Sequence, residues 1–251
     1  MSDRWRVFAN LATLANALLG VGAILYILAG NKLWAMLLIA CAIGFDGLDG
    51  IFSRRSATRS GRFGRVADSV ADAVTFGAAP AFLVAIHTGD VSTWQPWTAL
   101  AVGLAVVYFA AALARLTYFT ARAYHLPNFL GVPTPQSALA IIVAVLFHDT
   151  PAFVVVAPVA VLVGTAVVSV MMLVPVPYPK LRRGSPMRWP MVLTAVAAAL
   201  SLVPLQFRPG VGTPLYLLSY AGALVFLIGV ASYYLVGPFT LRRSGAEVPV
   251  P

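Results

Sequence analysis

Four aspartates close together in the sequence, inside otherwise apolar surroundings, are the residues best suited to chemistry. They lie in the segment DGLDGIFSRRSATRSGRFGRVADSVAD, from Asp46 to Asp72, and make up half of the eight acidic residues of the chain. Asp46 and Asp49 are three residues apart and Asp68 and Asp72 four apart, so on helices each pair projects from a single face. A hairpin of two such helices would bring all four carboxylates together.

Carboxylates at such close range repel one another and are costly to desolvate, so hard divalent cations are the main means of stabilising them. The segment therefore predicts a metal site. Asp-Gly pairs are also typical of tight turns. A turn at Asp46 would leave an apolar run of only 13 residues, Leu33 to Phe45, short of the roughly 20 that span a bilayer. The spacing also lacks the alternating ligands and closing glutamate of an EF-hand.

The elements that must position these aspartates are membrane helices. Of the 251 residues, 60% are hydrophobic and only 10% charged, far from the composition of a soluble domain. We expect an all-α, polytopic transmembrane helix bundle of about eight spans. Six long apolar runs and two shorter ones predict these spans: Leu11–Ala29, Leu33–Phe52, Val66–Ile86, Trp97–Thr120, Phe153–Val174, Leu215–Leu235, then Pro135–Phe147 and Met191–Leu205.

The basic residues predict the orientation of these spans. All but Lys32 and Arg208 fall at the termini or in alternate loops, which the positive-inside rule places in the cytoplasm together with the aspartate segment. The net charge of +9 then indicates a basic cytoplasmic face suited to anionic headgroups or phosphates. Nucleic-acid binding is not expected, because these charges form no separate basic domain. The single cysteine, Cys41, excludes an intrachain disulfide.

The loop between the two aspartate pairs carries five arginines, which alone is typical of a positive-inside anchor. Arg54, however, follows Asp49 closely enough to reach the mouth of the same cavity, where a guanidinium can hold a phosphate in two-point contact. Divalent cations, a phosphate-binding arginine and a cavity at the membrane surface together indicate phosphoryl chemistry on a lipid. These residues do not identify the substrate.

The aspartate segment resembles the signature of the CDP-alcohol phosphotransferases, D-x2-D-G-x2-A-R-x8-G-x3-D-x3-D. The matching residues are Asp46, Asp49, Gly50, Arg54, Gly64, Asp68 and Asp72. The chain departs from it twice: Ser53 stands in place of alanine, and nine residues rather than eight separate Arg54 from Gly64. Serine is also small and the extra residue falls in the loop, so both helical pairings survive.

Within that family the chain is most similar to the phosphatidylserine synthase branch. Three segments carry this resemblance: DSVADAVTFGAAPAFL from Asp68, FLGVPTPQSA from Phe129 and VPYPKL from Val176. Tyr118 and Thr120 depart from it, since that branch often has arginine and asparagine there. The resemblance covers most of residues 10–185. We accordingly expect a catalytic membrane domain at residues 1–185 and additional transmembrane helices at 186–251.

The resemblance implies a metal-dependent transfer of the phosphatidyl group from CDP-diacylglycerol to L-serine, with release of CMP. Two divalent ions, Mg²⁺ or Mn²⁺, would be held by Asp46, Asp49, Asp68 and Asp72, and Asp72 would also be the general base. The CDP-lipid would contact Asp46, Asp49, Gly50, Ser53, Arg54 and Gly64. Arg115 and Arg122 are candidates for the acceptor's carboxylate, with snorkelling at a helix end as the alternative.

Two other functions compete with this interpretation. A synthase of the same family would use inositol phosphate or glycerol 3-phosphate as acceptor. A proton- or cation-coupled transporter would also carry acidic residues within its spans, but such sites usually lie near the membrane midplane. The expected partners are CDP-diacylglycerol, L-serine and membrane lipids, with the protein a homodimer in the cell membrane and its active site facing the cytoplasm.

Overall fold

The computed structural model of the protein describes residues 2–55, 62–88, 96–123, 128–148, 157–178, 188–205, 207 and 212–243. The side chains of residues 48–63 and 122, among others, fall outside this description. Helices dominate these ranges, and the only strands in them are two of two residues each. The elements in chain order are α1 (Ser2–Leu28), α2 (Lys32–Arg55), α3 (Arg62–Asp72), the π-helical segment π1 (Ala73–Ala78), α4 (Ala79–Thr88), α5 (Pro96–Tyr118), π2 (Phe119–Ala123), β1 (Phe129–Leu130), α6 (Thr134–His148), α7 (Ala157–Leu173), β2 (Pro177–Tyr178), α8 (Arg188–Leu205) and α9 (Pro214–Arg243).

The prediction of an all-α membrane bundle is confirmed. If α3, π1 and α4 are taken as one rod and α5 with π2 as another, the described ranges contain eight helical rods, close to the predicted number of spans. Among the described residues, four stretches are long and apolar enough to cross a membrane: Val7–Leu28, Gly64–Ile86, Trp97–Ala121 and Pro214–Phe239. The outer faces expose large apolar side chains such as Leu18, Val106 and Ile228, as expected of helices surrounded by lipid.

Helices α1 and α2 form a tight antiparallel hairpin. Gly30 has a φ of +75°, and the amides of Gly30 and Asn31 donate to the carbonyls of Ile27 and Tyr26. These bonds satisfy the last carbonyls of α1 in the manner of a glycine C-cap. Helix α2 then continues without a break through Asp46 and Asp49 to Arg55, so both Asp-Gly pairs are helical and neither forms a turn.

The rod from α3 to α4 changes its helical winding immediately after Asp72. Pro80 has no amide hydrogen to donate to the carbonyl of Phe76, four residues earlier. The hydroxyl of Tyr108 on α5 donates to that carbonyl instead, at 2.8 Å. The π-helical segment π1 contains Phe76 and ends two residues before Pro80, and such widened turns frequently occur at functional sites. Rod α3–α4 is thus joined to α5 through a buried polar contact.

The remaining helices complete the bundle around this centre. Helix α5 packs on α7, α6 packs on α7, and α8 and α9 pack against each other. The C-terminal pair is attached to the rest, because α8 contacts α2 and α9 contacts α6 and β2. Strands β1 and β2 pair antiparallel, with Phe129 opposite Tyr178. No finding tests the predicted domain boundary at residue 185, which stays a prediction.

Candidate functional site

Three of the four predicted aspartates meet at one end of the bundle. Asp46 comes from the second half of α2, and Asp68 and Asp72 come from α3. One carboxylate oxygen from each lies within 4.8 Å of the others. Asp72 is buried, and the other two are partly buried. The two helices, which both pack on α1, therefore bring these three carboxylates together. Asp49 lies on α2 one turn after Asp46, but its side chain falls outside the described residues.

This donor set fits a hard divalent cation. Oxygens on opposite sides of one Mg²⁺, Mn²⁺ or Ca²⁺ ion lie roughly 4 to 5 Å apart, which matches the observed spread of 4.8 Å. Three negative charges at this distance in a largely apolar bundle also require a positive counter-charge. The three carboxylates can thus hold a divalent ion without a change in backbone.

Asn16 on α1 is a further site residue, and the sequence analysis missed it. Its side-chain amide Nδ2 donates to Oδ1 of Asp72 at 2.9 Å, although 56 residues separate the two. The backbone carbonyl of Asn16 accepts a hydrogen bond of 2.9 Å from the Thr75 hydroxyl. Gly20, one turn later, lies so close to Thr75 that a Cβ there would overlap it. An asparagine inside an apolar run is a detectable signal, because such polar groups are expensive in a membrane.

Close packing of α1 on the α3–π1 rod thus sets the side-chain position of Asp72. The amide occupies Oδ1 and leaves Oδ2 of this carboxylate for a cation or a proton. Asn16 is completely buried, so the hydrogen bond is not exchanged with water and holds the rotamer of Asp72 in place.

Arg115, near the end of α5, is buried inside the bundle with only 6% of its surface exposed. Its Nη1 donates to the Thr134 hydroxyl at 2.9 Å. The guanidinium carbon lies 5.9 Å from the ring centroid of Phe119 and 5.6 Å from that of Phe129, a cation–π distance from each of two neighbouring rings. Such an arginine does not snorkel to a membrane surface, so that alternative is wrong for Arg115.

The guanidinium retains a donor for a ligand. Nε of Arg115 is buried and has no hydrogen-bond partner among the described residues, which is costly unless a ligand fills the position. Nη1 is held by Thr134, so the edge with Nε and Nη2 is the one suited to two-point contact with a carboxylate or phosphate. Arg115 also lies within electrostatic range of Asp72 and Asp46. One site therefore combines the carboxylate cluster and a positively charged group.

A groove of about 790 Å³ runs between the α3–π1 rod and the α5–π2 rod. Most of its lining is apolar, including Val70, Val74 and Phe109, and Arg65 lies at its border. The hydroxyls of Ser69 and Thr120 are hydrogen-bonded across it. Ser69 directly follows Asp68 on α3, so the groove borders the carboxylate cluster.

The remaining predicted residues lie near this end of the bundle. Gly50, Ser53 and Arg54 belong to the last turns of α2, and Gly64 belongs to the first turn of α3. Arg122 is part of π2. The side chains of Ser53, Arg54 and Arg122 fall outside the described residues. Their roles, like those of the other site residues, stay predictions.

Comparison with characterised proteins identifies several relatives, each named CDP-diacylglycerol–serine O-phosphatidyltransferase. The Helicobacter pylori strain J99 protein is 30% identical over 148 residues, 57% of this chain and 59% of its own length. The Bacillus subtilis protein is 28% identical over 174 residues, 68% of this chain and 89% of its own. The Mycobacterium bovis protein is 34% identical over 146 residues, 55% of this chain and 48% of its own. The chain thus matches between half and nine-tenths of each relative's length, and less than two thirds for the first and third.

The family model of the CDP-alcohol phosphatidyltransferases matches residues 6–171. This range includes α1 with Asn16, the aspartates of α2 and α3, and Arg115. It ends before β2, α8 and α9. The match covers well over half of the chain and contains the whole carboxylate cluster, and we conclude that the chain belongs to the CDP-alcohol phosphatidyltransferase family.

Proposed function

We propose that this protein catalyses the metal-dependent transfer of a phosphatidyl group from CDP-diacylglycerol to L-serine, releasing CMP and forming phosphatidylserine. The observation that carries the proposal is the meeting of Asp46, Asp68 and Asp72 with Arg115 at one end of the bundle. The names of the relatives support serine as the acceptor. Membership of a transferase family favours an enzyme over the transporter considered above.

The proposed metal ligands are Asp46, Asp49, Asp68 and Asp72, holding two Mg²⁺ or Mn²⁺ ions. Such ions, when bound, neutralise the pyrophosphate and stabilise the charge that develops on the departing CMP. Arg54 would bind phosphate, Gly50 and Ser53 would leave room for the nucleotide, and Gly64 would also contact the lipid substrate, as the resemblance implies.

Asp72 would act as the general base in the transfer. The hydroxyl oxygen of serine attacks the phosphorus next to the diacylglycerol, and its proton passes to Asp72. A bond forms between that oxygen and the phosphorus, while the bond from the phosphorus to the bridging oxygen breaks and CMP leaves with that oxygen. Asn16 supports this role because it occupies Oδ1 and leaves Oδ2 to accept the proton.

Arg115 would bind the carboxylate of serine through the edge that carries Nε. Among the described side chains, it is the only buried lysine or arginine. A single positive charge beside two aromatic rings suits a monoanionic carboxylate better than the dianionic phosphate of inositol phosphate or glycerol 3-phosphate. Arg122 is a second candidate for the same carboxylate.

The groove between the α3–π1 and α5–π2 rods would accept an acyl chain of the lipid substrate. It is mostly apolar and borders Asp68, so a chain lying in it would place the attached pyrophosphate beside the carboxylates. Because basic residues concentrate near this end of the spans, we place the site at the cytoplasmic face of the cell membrane. A homodimer is part of the same proposal.

A CMP-release assay with the purified protein in liposomes tests the proposal. Each acceptor is supplied in turn with CDP-diacylglycerol and Mg²⁺ or Mn²⁺: L-serine, inositol phosphate or glycerol 3-phosphate. We expect rapid CMP release and phosphatidylserine formation with serine alone. Release with inositol phosphate or glycerol 3-phosphate but not with serine would overturn the acceptor and retain the reaction class, while no release with any of the three would overturn both.

A further inference from the structure

The last helix reaches the Arg115 site although it lies beyond the residues that the family model matches. The match to the family model ends at residue 171, whereas α9 runs from Pro214 to Arg243. In its second half α9 places Tyr233 and Tyr234 within electrostatic range of the Arg115 guanidinium. Tyr233 is 2% exposed, so the bundle encloses it.

Tyr233 contacts the side of the site formed by the short strands. Its ring stacks on that of Tyr178, with centroids 5.4 Å apart and an interplanar angle of 22°. Tyr178 pairs with Phe129 across the two strands, and the ring of Phe129 lies against the Arg115 guanidinium. A continuous row of aromatic rings thus joins α9 to Arg115.

The strands of this row have little freedom to shift. The Gly131 amide donates to the Val176 carbonyl at 2.9 Å, and the Val132 amide donates to that of Met171 at 3.1 Å. Gly131 has a φ of +73° and approaches the Met172 carbonyl so closely that no Cβ would fit. The position of Phe129 therefore depends on how β2 is held, and Tyr233 packs on β2.

Tyr234 contacts the opposite side of the site, at the start of α6. Its hydroxyl donates to the Gln136 carbonyl at 3.5 Å and lies within hydrogen-bond reach of the Ser137 hydroxyl. The same first turn of α6 contains Thr134, which accepts the hydrogen bond from Arg115. Tyr233 therefore packs on the strand that pairs with Phe129, and Tyr234 contacts the turn of α6 that contains Thr134.

We propose that α9 completes the acceptor site, with Tyr233 and Tyr234 as positioning residues that fix Arg115 for its anionic ligand. This inference rests on the proposed function in one respect, namely that Arg115 binds the acceptor. The tyrosines contact the supports of Arg115 and not the carboxylate cluster, so their loss should weaken acceptor binding and leave the lipid substrate and the transfer step nearly unchanged.

The test compares Tyr233→Leu and Tyr233→Phe with Tyr216→Leu in the full-length protein. Tyr216 carries the same side chain on the same helix, about 25 Å from Tyr233 at 1.5 Å per residue. CMP release is measured against CDP-diacylglycerol and against whichever acceptor supports turnover. We expect Tyr233→Leu to raise the acceptor KM about tenfold, with kcat and the lipid KM within about twofold of wild type. Tyr233→Phe, which keeps the stacked ring, should restore most of the acceptor affinity, and Tyr216→Leu should have no effect.

A second measurement does not depend on activity. In a double-mutant cycle on thermal unfolding, Tyr233→Leu should lower the melting temperature less in an Arg115→Leu background than in wild type, because the two residues support each other. Additive shifts, an unchanged acceptor KM, or equal losses for both substrates would overturn the inference. If an acceptor other than serine supports turnover, that acceptor replaces serine in the proposed function, and the proposed role of Tyr233 does not change. If no acceptor supports turnover, the proposed function fails and the unfolding cycle alone decides.

Discussion

The two halves of the site differ in how they are assembled. The carboxylate half comes from consecutive helices, α2 and α3, and its aspartates fall within one segment from Asp46 to Asp72. The arginine half combines α5, β1, α6, β2 and α9, and its contacts join residues as far apart as Gln136 and Tyr234, 98 positions along the chain. The proposed reactive groups are therefore encoded locally, whereas the proposed acceptor site depends on how distant elements pack.

The halves also differ in the partners that surround their charges. Asp46, Asp68 and Asp72 lie close to one another, and a bound cation would relieve their mutual repulsion. The direct contacts of the Arg115 guanidinium are with neutral groups, a threonine hydroxyl and two aromatic rings. Changes in the carboxylate half should consequently affect every reaction that the protein performs, while changes in the arginine half should affect one substrate. The following substitutions test this difference, from the largest expected effect to the smallest.

Replacing Asp72 with asparagine should have the largest effect. The change removes the proposed base and one metal ligand but keeps the shape of the side chain, so we expect CMP release to fall about 10³-fold with any acceptor. The measurement is kcat in liposomes, with the melting temperature as a check on folding. A folded Asp72→Asn protein that retains more than a tenth of the wild-type kcat would contradict the role of the cluster.

Arg115→Ala should affect one substrate only. Losing a charged hydrogen bond costs about 1.5 to 3 kcal/mol, or roughly 10- to 100-fold in the KM for serine. The KM for CDP-diacylglycerol should change little. Arg115→Lys should recover only part of the loss, because an ammonium cannot make the two-point contact. Equal increases in the KM for serine and in the KM for CDP-diacylglycerol would contradict the assignment of the arginine half to the acceptor alone.

Asn16→Ala should weaken metal binding without removing a ligand. The amide holds one oxygen of Asp72, and loss of such a supporting hydrogen bond typically costs about 10- to 100-fold in metal affinity or activity. The measurement is the Mn²⁺ concentration that gives half-maximal CMP release. Asn10→Ala is the matched control, since Asn10 is exposed on the same helix. The same metal dependence in both variants would leave Asn16 with no more than a packing role.

Ala78→Phe should have the smallest effect. The added ring would partly fill the groove between the two rods, and we expect the KM for CDP-diacylglycerol to rise by about threefold to tenfold, in keeping with the loss of a few buried methylene contacts. The KM for serine should not change. Ala110→Phe, at an exposed position of α5 outside the groove, serves as control. A rise in the serine KM instead would assign the groove to the acceptor.

Much of the carboxylate half was predictable, because helical periodicity places residues three or four apart on one face whatever the rest of the chain does. The apolar runs predicted the helices, and two acidic pairs at the ends of adjacent runs implied the hairpin that joins Asp46 to Asp68 and Asp72. Arg115 was recognised as a candidate, but its burial, its bond to Thr134 and its aromatic neighbours were not. Asn16 was missed, although an amide in an apolar run marked the position.

The sequence by itself determined that this chain forms a membrane helix bundle with a carboxylate cluster, because composition and short-range periodicity are sufficient for both. Only the tertiary structure decided which neutral residues support the charged ones: Asn16 beside Asp72, Thr134 beside Arg115, and Tyr233 behind Phe129. Such contacts join helices far apart in the chain. They depend on close packing at points such as Gly20 and Gly131, where a neighbouring segment leaves no room for a side chain. No periodic pattern in the sequence indicates which distant segment packs against such a glycine.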